Sequence, residues 1–296
     1  EKGHSVTIID RRSHIAGNCF DYVDKNGLFI HQYGSHIFHT DNQEVWRFLS
    51  HFTNWYPYQH KVKALVDGQL VPVPFNLNSL EQLFPRTLAR RIEYKLLSIF
   101  GFNVKVPILK LREVDDTDLN FLADYVYEKV FLGYTLKQWS SKPEELDKTV
   151  TGRVPVYISR DNRYFQNKYQ GIPLDGYSSL IKKILKHKRI KTLLSTHFVH
   201  EMQSEFDYVY HTGPIDEYFN FCFGELPYRS LYFEFREMNC PYFQSSAVIN
   251  YPCNYDFTRI TEFKYFLNSN SNKTVVAFEY PCNFINGKNE RYYPVP

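Results

Sequence analysis

The chain has 296 residues, 43% of them hydrophobic, and its 35 Lys and Arg against 32 Asp and Glu leave a formal charge of only +3. That length allows one large or two to three modest domains, the dispersed charge argues against a nucleic-acid partner, which needs a concentrated basic face, and the longest apolar runs are far too short to span a bilayer. Five cysteines, from Cys19 to Cys282 and without a CxxC pair, suggest neither a zinc ribbon nor a disulfide framework and fit a reducing cytoplasm.

The opening "HSVTIID" predicts a buried strand, Val6 to Ile9, ending in Asp10 and followed by a basic, glycine-containing loop. In dinucleotide-binding βαβ units an acidic residue at the end of the second strand receives the ribose hydroxyls, about 20 residues after a GxGxxG turn. Only nine residues precede Asp10, so this reading places the first strand and its glycine loop upstream of Glu1. A surface Asp that merely caps a strand is the other reading of the same residues.

Next, "HQYGSHIFHT" sets His31, His36 and His39 around Gly34. The spacing departs from HExxH and the stretch holds no acid, which speaks against zinc. A glycine there suits close backbone approach to a flat ligand, and histidines packed in a turn are the plain alternative. Residues 61–75, "KVKALVDGQLVPVPF", predict a hairpin turning at Asp67-Gly68. Apolar residues at three- and four-residue spacing from Ser79 to about Lys148 predict a helical insert. An arginine-rich loop and strand region follows, then a helix with a basic outer face in "GYSSLIKKILKH". "FDYVYHTGPID" predicts a buried strand running into a glycine turn, and "SLYFEFREM" and "KTVVAFEY" predict strands of period two.

These elements describe an α/β nucleotide-binding core interrupted by a helical insert and a largely antiparallel sheet. Arg153 in "TGRVPVY" and Arg259 in "DFTRITEF" stand beside aromatic and turn residues. The planar fork of arginine grips diphosphate oxygens, so two arginines converging from distant segments would hold a pyrophosphate. Taken singly, each is more often a surface ion-pair partner.

The stretches "RRSHIAGN", "HQYGSHIFHT", "VPVPFNLN", "LGYTLKQWS", "TGPIDEYF", "YRSLYFE", "FTRITEFK" and "YYPV", in this order and spacing, resemble the bacterial UDP-galactopyranose mutases. The resemblance covers essentially the whole chain. It implies an FAD-binding Rossmann-like domain from residues 1–40 and 171–214, a helical bundle over 77–150, and a twisted antiparallel sheet domain from 41–76, 151–170 and 215–296. It also implies that the GxGxxG segment lies before Glu1 and a further FAD-binding segment after Pro296.

By the same resemblance, Asp10, Arg11 and Asn18 match positions near the FAD adenosine and pyrophosphate, and His36 and Ile37 match positions lining the flavin. Tyr134, Thr135 and Trp139 match residues that contact the UDP portion, with Tyr134 stacked on uracil. Arg153 and Arg259 match the arginines that close on the diphosphate, so these two and His36 are the implied catalytic residues. His60, Tyr164, Arg229, Asn250 and Tyr293 match other cleft positions.

The activity so implied interconverts UDP-galactopyranose and UDP-galactofuranose through a covalent adduct between reduced FAD and the sugar anomeric carbon. A homodimer without metal is implied with it. Two other functions carry distinct expectations: a hydride-transferring flavoprotein of related fold would act by redox, and a non-catalytic nucleotide-sugar binder would take UDP without flavin.

Overall fold

A computed structural model describes residues 3–147 and 155–295. Strands β1 (Val6–Ile9), β2 (Asp21–Val23), β3 (Phe29–His31) and β4 (Phe38–Thr40) lead to helix α1 (Gln43–Ser50), β5 (Trp55–Tyr56) and a hairpin of β6 (Val62–Val66) and β7 (Gln69–Val73). The helical insert contains α2 (Leu77–Leu83), α3 (Arg86–Phe100), α4 (Ile108–Leu111), α5 (Thr117–Val126), a π-helical segment (Tyr127–Leu132) and α6 (Gly133–Trp139), with β8 (Val104–Val106) between α3 and α4. After it come β9 (Val156–Ile158), β10 (Tyr169–Pro173), the helix Tyr177–Leu185 and β11 (Ile190–Leu193). The last third holds β12 (Tyr228–Met238), β13 (Val248–Asn250), β14 (Arg259–Glu262), β15 (Thr274–Asn283) and β16 (Tyr293–Pro294).

The hairpin at Asp67-Gly68 forms as predicted, because both turn residues adopt positive φ, 45° and 82°, the geometry that matches the twist of two-residue hairpins. Its inward residues Val62, Ala64, Val66, Val71 and Val73 are buried against the helical insert, whose Leu80, Leu122 and Val126 complete one core. Helix starts are written in polar residues. The Asn76 side chain accepts from the Asn78 and Ser79 amides to start α2, and Asp116 does the same for α5.

Seven strands form the main sheet, in the order β16-β12-β15-β14-β13-β6-β7. It is antiparallel except where β13 runs parallel to β6, in keeping with the largely antiparallel sheet expected. β15 reads in sequence as alternating, yet Thr274 to Glu279 are buried on both faces because each face is covered: Val275 and Ala277 join the main core, while Val276 and Phe278 pack with Ile260 in a second cluster.

Two expectations are corrected. β1 forms over Val6–Ile9 in parallel with β11, but Val6 is 45% exposed, since β11 is its one ladder partner among the described residues. The segment 206–214 forms no strand: Tyr208 and Tyr210 are 81% and 90% exposed, and no neighbour among the described residues takes up their backbone in a ladder. No described helix is long and apolar enough to cross a membrane.

Candidate functional site: a cleft between the sheet and the long helix

Helix α5, the π-helical segment and α6 run continuously over 117–139, with the wider turn inserted midway. Such π turns change which side chains face a partner and recur at functional sites. Here the segment contributes Val130 and Phe131, and α6 contributes Tyr134 and Thr135, to the wall of a cleft of about 320 Å³. The opposite wall is built by β6, β7, β13 and β14, and the loops 35–37 and 164–165 close one end with Ser35, His36, Ile37, Tyr164 and Phe165.

The polar centre of this cleft is a row across three adjacent strands. Asn250 on β13 pairs in register with Arg259 on β14, and Arg259 pairs with Glu279 on β15. Arg259 Nη2 donates to the Tyr134 hydroxyl at 2.8 Å. Its Nε stands 3.1 Å from Glu279 Oε1, near enough for an ion pair but out of line for a hydrogen bond. Burial opposes the charge on Arg259, but Glu279 and the surrounding tyrosine hydroxyls, including those of Tyr293 and Tyr164, outweigh it and raise its pKa. Burial pushes the Glu279 carboxyl upward, and Arg259 pulls it back. Asn250 Oδ1 is buried without a hydrogen-bond partner, an acceptor left for a ligand in a cleft it lines.

The three histidines around Gly34 do separate things. His36 Nδ1 donates to Gly34 O at 2.9 Å, which fixes its proton on Nδ1 and leaves Nε2 as the acceptor. Burial lowers the His36 pKa, and the Gly34 carbonyl only partly offsets it. The His36 amide donates to His31 Nδ1 at 3.1 Å. His31 is buried among Tyr177, Phe263 and Phe266, and its pKa falls to about 3 by desolvation. His39 stacks on Phe165 with ring centroids 3.6 Å apart. Gly34 adopts φ +95°, and its missing Cβ faces the Phe233 ring, where one would stand 3.1 Å from Cζ.

His60 is 5% exposed, meets the Tyr58 hydroxyl at 3.1 Å through Nδ1, and is held neutral by burial and by the charge of Arg259, its pKa lowered to about 3. Of the residues expected at the site, His36, Ile37, His60, Tyr134, Thr135, Tyr164, Asn250 and Arg259 line this one cleft. Arg153 lies outside the described residues. Trp139, Arg229 and Tyr293 form a neighbouring group: the Trp139 and Tyr293 rings lie 5.6 Å apart, and Arg229 donates to the carbonyls of Gln138 and Lys137 at the end of α6 and to Asn283 Oδ1.

Asp10, Arg11 and Asn18 belong to the β1 end of the chain and do not line the cleft. Asp10 Oδ1 accepts the Arg12 amide at 2.9 Å, turning the loop after β1. Arg11 and Arg12 converge on Glu290 Oε2 at 2.7 and 3.1 Å, beside a second cavity of about 400 Å³. Asn18 sits in the short 3₁₀ turn Gly17–Cys19. Sequence reasoning missed Glu279 and Phe165. A lone acid amid the apolar residues of "TVVAFEY" was the available signal for Glu279.

Comparison with known proteins identifies relatives along the whole chain. The sequence profile of the UDP-galactopyranose mutase family matches residues 129–296, and that of an NAD(P)-binding Rossmann-like domain matches residues 1–52. The chain is 37% identical over its whole length to a probable UDP-galactopyranose mutase of Klebsiella pneumoniae, covering 76% of that protein. It is 35% identical to a dTDP-fucopyranose mutase of Escherichia coli, again over the whole chain and 80% of the relative. A crystal structure of reduced UDP-galactopyranose mutase superposes with a TM-score of 0.60 at 16% identity, covering 97% of this chain and 70% of that one, and so shares its fold. A cleft built by the very residues that these motifs contribute, with a profile match over more than half of the chain, places it in one family: the chain belongs to the UDP-galactopyranose mutases.

Proposed function

We propose that this chain interconverts UDP-galactopyranose and UDP-galactofuranose, using reduced FAD. The observation that carries the reading is the Arg259–Tyr134 pair, a half-buried cation hydrogen-bonded to a tyrosine hydroxyl at the wall of a cleft of about 320 Å³. Tyr134 offers a face for a flat base. Arg259 stays charged and offers its fork to a diphosphate, whose negative charge grows as the sugar–oxygen bond breaks. Neutral His36 offers Nε2 as an acceptor to a ligand N–H or O–H.

The residues present fit a flavin nucleotide. Asp10 ends a strand of a parallel pair, where ribose hydroxyls are received. Arg11 and Arg12 hold one carboxylate, Glu290, between them, which supports a role for the two guanidinium groups toward an anion such as a phosphate. His36 and Ile37 would border the isoalloxazine at the cleft. Reduced FAD, when bound, supplies the nucleophile for the anomeric carbon with no net redox change.

The test is conversion of UDP-galactofuranose by the purified chain with FAD and dithionite, followed by chromatography, with a dTDP-fucose substrate run in parallel because the two relatives differ there. Conversion that requires reductant and prefers the UDP-sugar supports the reading. UDP binding with no conversion and no flavin uptake replaces it with a nucleotide-sugar binder.

A further inference from the structure

The connection between β13 and β14, residues 251–258, has Asn250 at one end and Arg259 at the other, both on the cleft wall. It is a small preformed unit. Tyr251 N–H donates to Thr258 O at 2.8 Å to close its base, and the rings of Tyr251, Tyr255 and Phe257 pack with centroids 4.8 to 5.1 Å apart. Where this unit sits against α6 therefore decides where Asn250 and Arg259 lie relative to Tyr134.

Two contacts from α6 fix that position. Lys137 Nζ donates to the carbonyls of Tyr251, of Tyr255 at 3.0 Å and of Phe257 at 3.1 Å, three acceptors for the three protons of an ammonium group. One turn earlier, Gly133 lies so near the loop that a Cβ there would overlap the Pro252 carbonyl oxygen. Pro252 itself lines the cleft. With its donors committed to one loop, Lys137 is not placed to touch a phosphate, although it belongs to the same "YTLKQW" stretch as Tyr134 and Thr135.

We propose that Lys137 is a positioning residue: it latches the 251–258 loop to α6, keeps Asn250 and Arg259 in register with Tyr134, and so sets the affinity of the cleft for a nucleoside diphosphate. The inference rests on the reading that the cleft takes UDP. Asn250 and Arg259 are held by the sheet ladder, so losing the latch lets α6, with Tyr134, shift against them without emptying the core.

The experiment is calorimetric titration of the full chain with UDP alone, for wild type, Lys137→Met and Lys137→Arg, beside steady-state kinetics. Lys137→Met keeps the apolar stem and loses the donors. Its UDP Kd is expected to rise about tenfold, as for a protein whose competent state is populated about a tenth of the time. KM for the nucleotide sugar should rise in step, with kcat within about twofold of wild type, and Lys137→Arg should recover most of the affinity. If circular dichroism shows Lys137→Met unfolded, Gly133→Ala, which pushes the same loop from the helix side, has to reproduce the weakening. A folded Lys137→Met with wild-type Kd and KM overturns the latch, as does a fall in kcat with KM unmoved. Wild type that binds no UDP overturns the proposed function and the latch together, whereas wild-type binding with unaltered variants overturns the latch alone.

Discussion

Arg259 and Glu279 face each other across neighbouring strands, with Nε 3.1 Å from the carboxylate and the Glu279 side chain only 6% exposed. The Arg259 side chain is 26% exposed, but removing it strands the enclosed Glu279 carboxylate away from water, a loss typically of about 3–5 kcal/mol. Arg259→Ala is therefore expected to lose turnover by about a hundredfold or more and to unfold at lower urea, by roughly 3 kcal/mol. Arg259→Ala combined with Glu279→Leu should regain stability but not rate. A double variant as fragile as the single one would show that the pair is not what the loss reports.

Tyr134 serves through two features that substitution can part. Tyr134→Phe removes the hydroxyl that accepts from Arg259 at 2.8 Å and keeps the ring face. Losing a hydrogen bond to a charged group costs about 1.5–3 kcal/mol, so KM for the UDP-sugar should rise on the order of tenfold or more. Tyr134→Ala loses the ring as well and should bind UDP more weakly still, as measured by titration. Equal affinities for the two variants would assign the whole effect to the hydroxyl.

The buried histidines set a pH dependence. His31 and His60 both have pKa values near 3 in the folded chain against an ordinary 6.5, so between those values the unfolded chain binds more protons. Stability is therefore fully present above pH 6.5 and declines as pH falls toward 3, by roughly 2 kcal/mol per histidine between pH 7 and pH 5. Urea midpoints of wild type and His60→Asn at the two pH values test this. The variant should lose about half of the decline that the two histidines produce, and an unchanged slope would show that His60 is charged in the folded state.

Gly34→Ala meets two obstacles at once, a backbone at φ +95° and a Phe233 ring 3.1 Å from the new methyl carbon. It should cost about 1–3 kcal/mol in urea unfolding. Adding Phe233→Leu relieves the contact but leaves the backbone term, so only part of the loss should return. Complete recovery would locate the entire cost in the ring.

Much of the architecture was legible residue by residue because its causes are local. Asp67-Gly68 encodes a turn in two residues, and the period of apolar residues marks the insert. The "FDYVY" segment shows the opposite case. Its alternating apolar residues are those of a strand, but a strand exists only with a partner, and residues 206–214 have none in a ladder. The π-helical segment at Tyr127–Leu132 was likewise invisible, since one extra residue in a turn barely disturbs an apolar repeat.

The ordered motifs alone, read along one dimension, established the family and named eight of the residues that line the cleft, because side-chain chemistry is fixed by residue type. Which of them meet was settled by long-range packing. Arg259 finds Glu279 through strand register and Tyr134 through the docking of α6, Arg229 turns from the cleft to the end of that helix, and Lys137 reaches a loop more than a hundred residues away. Distances of that kind arise only when a sheet and a helix bury a common core, a property of the whole chain that no short stretch contains.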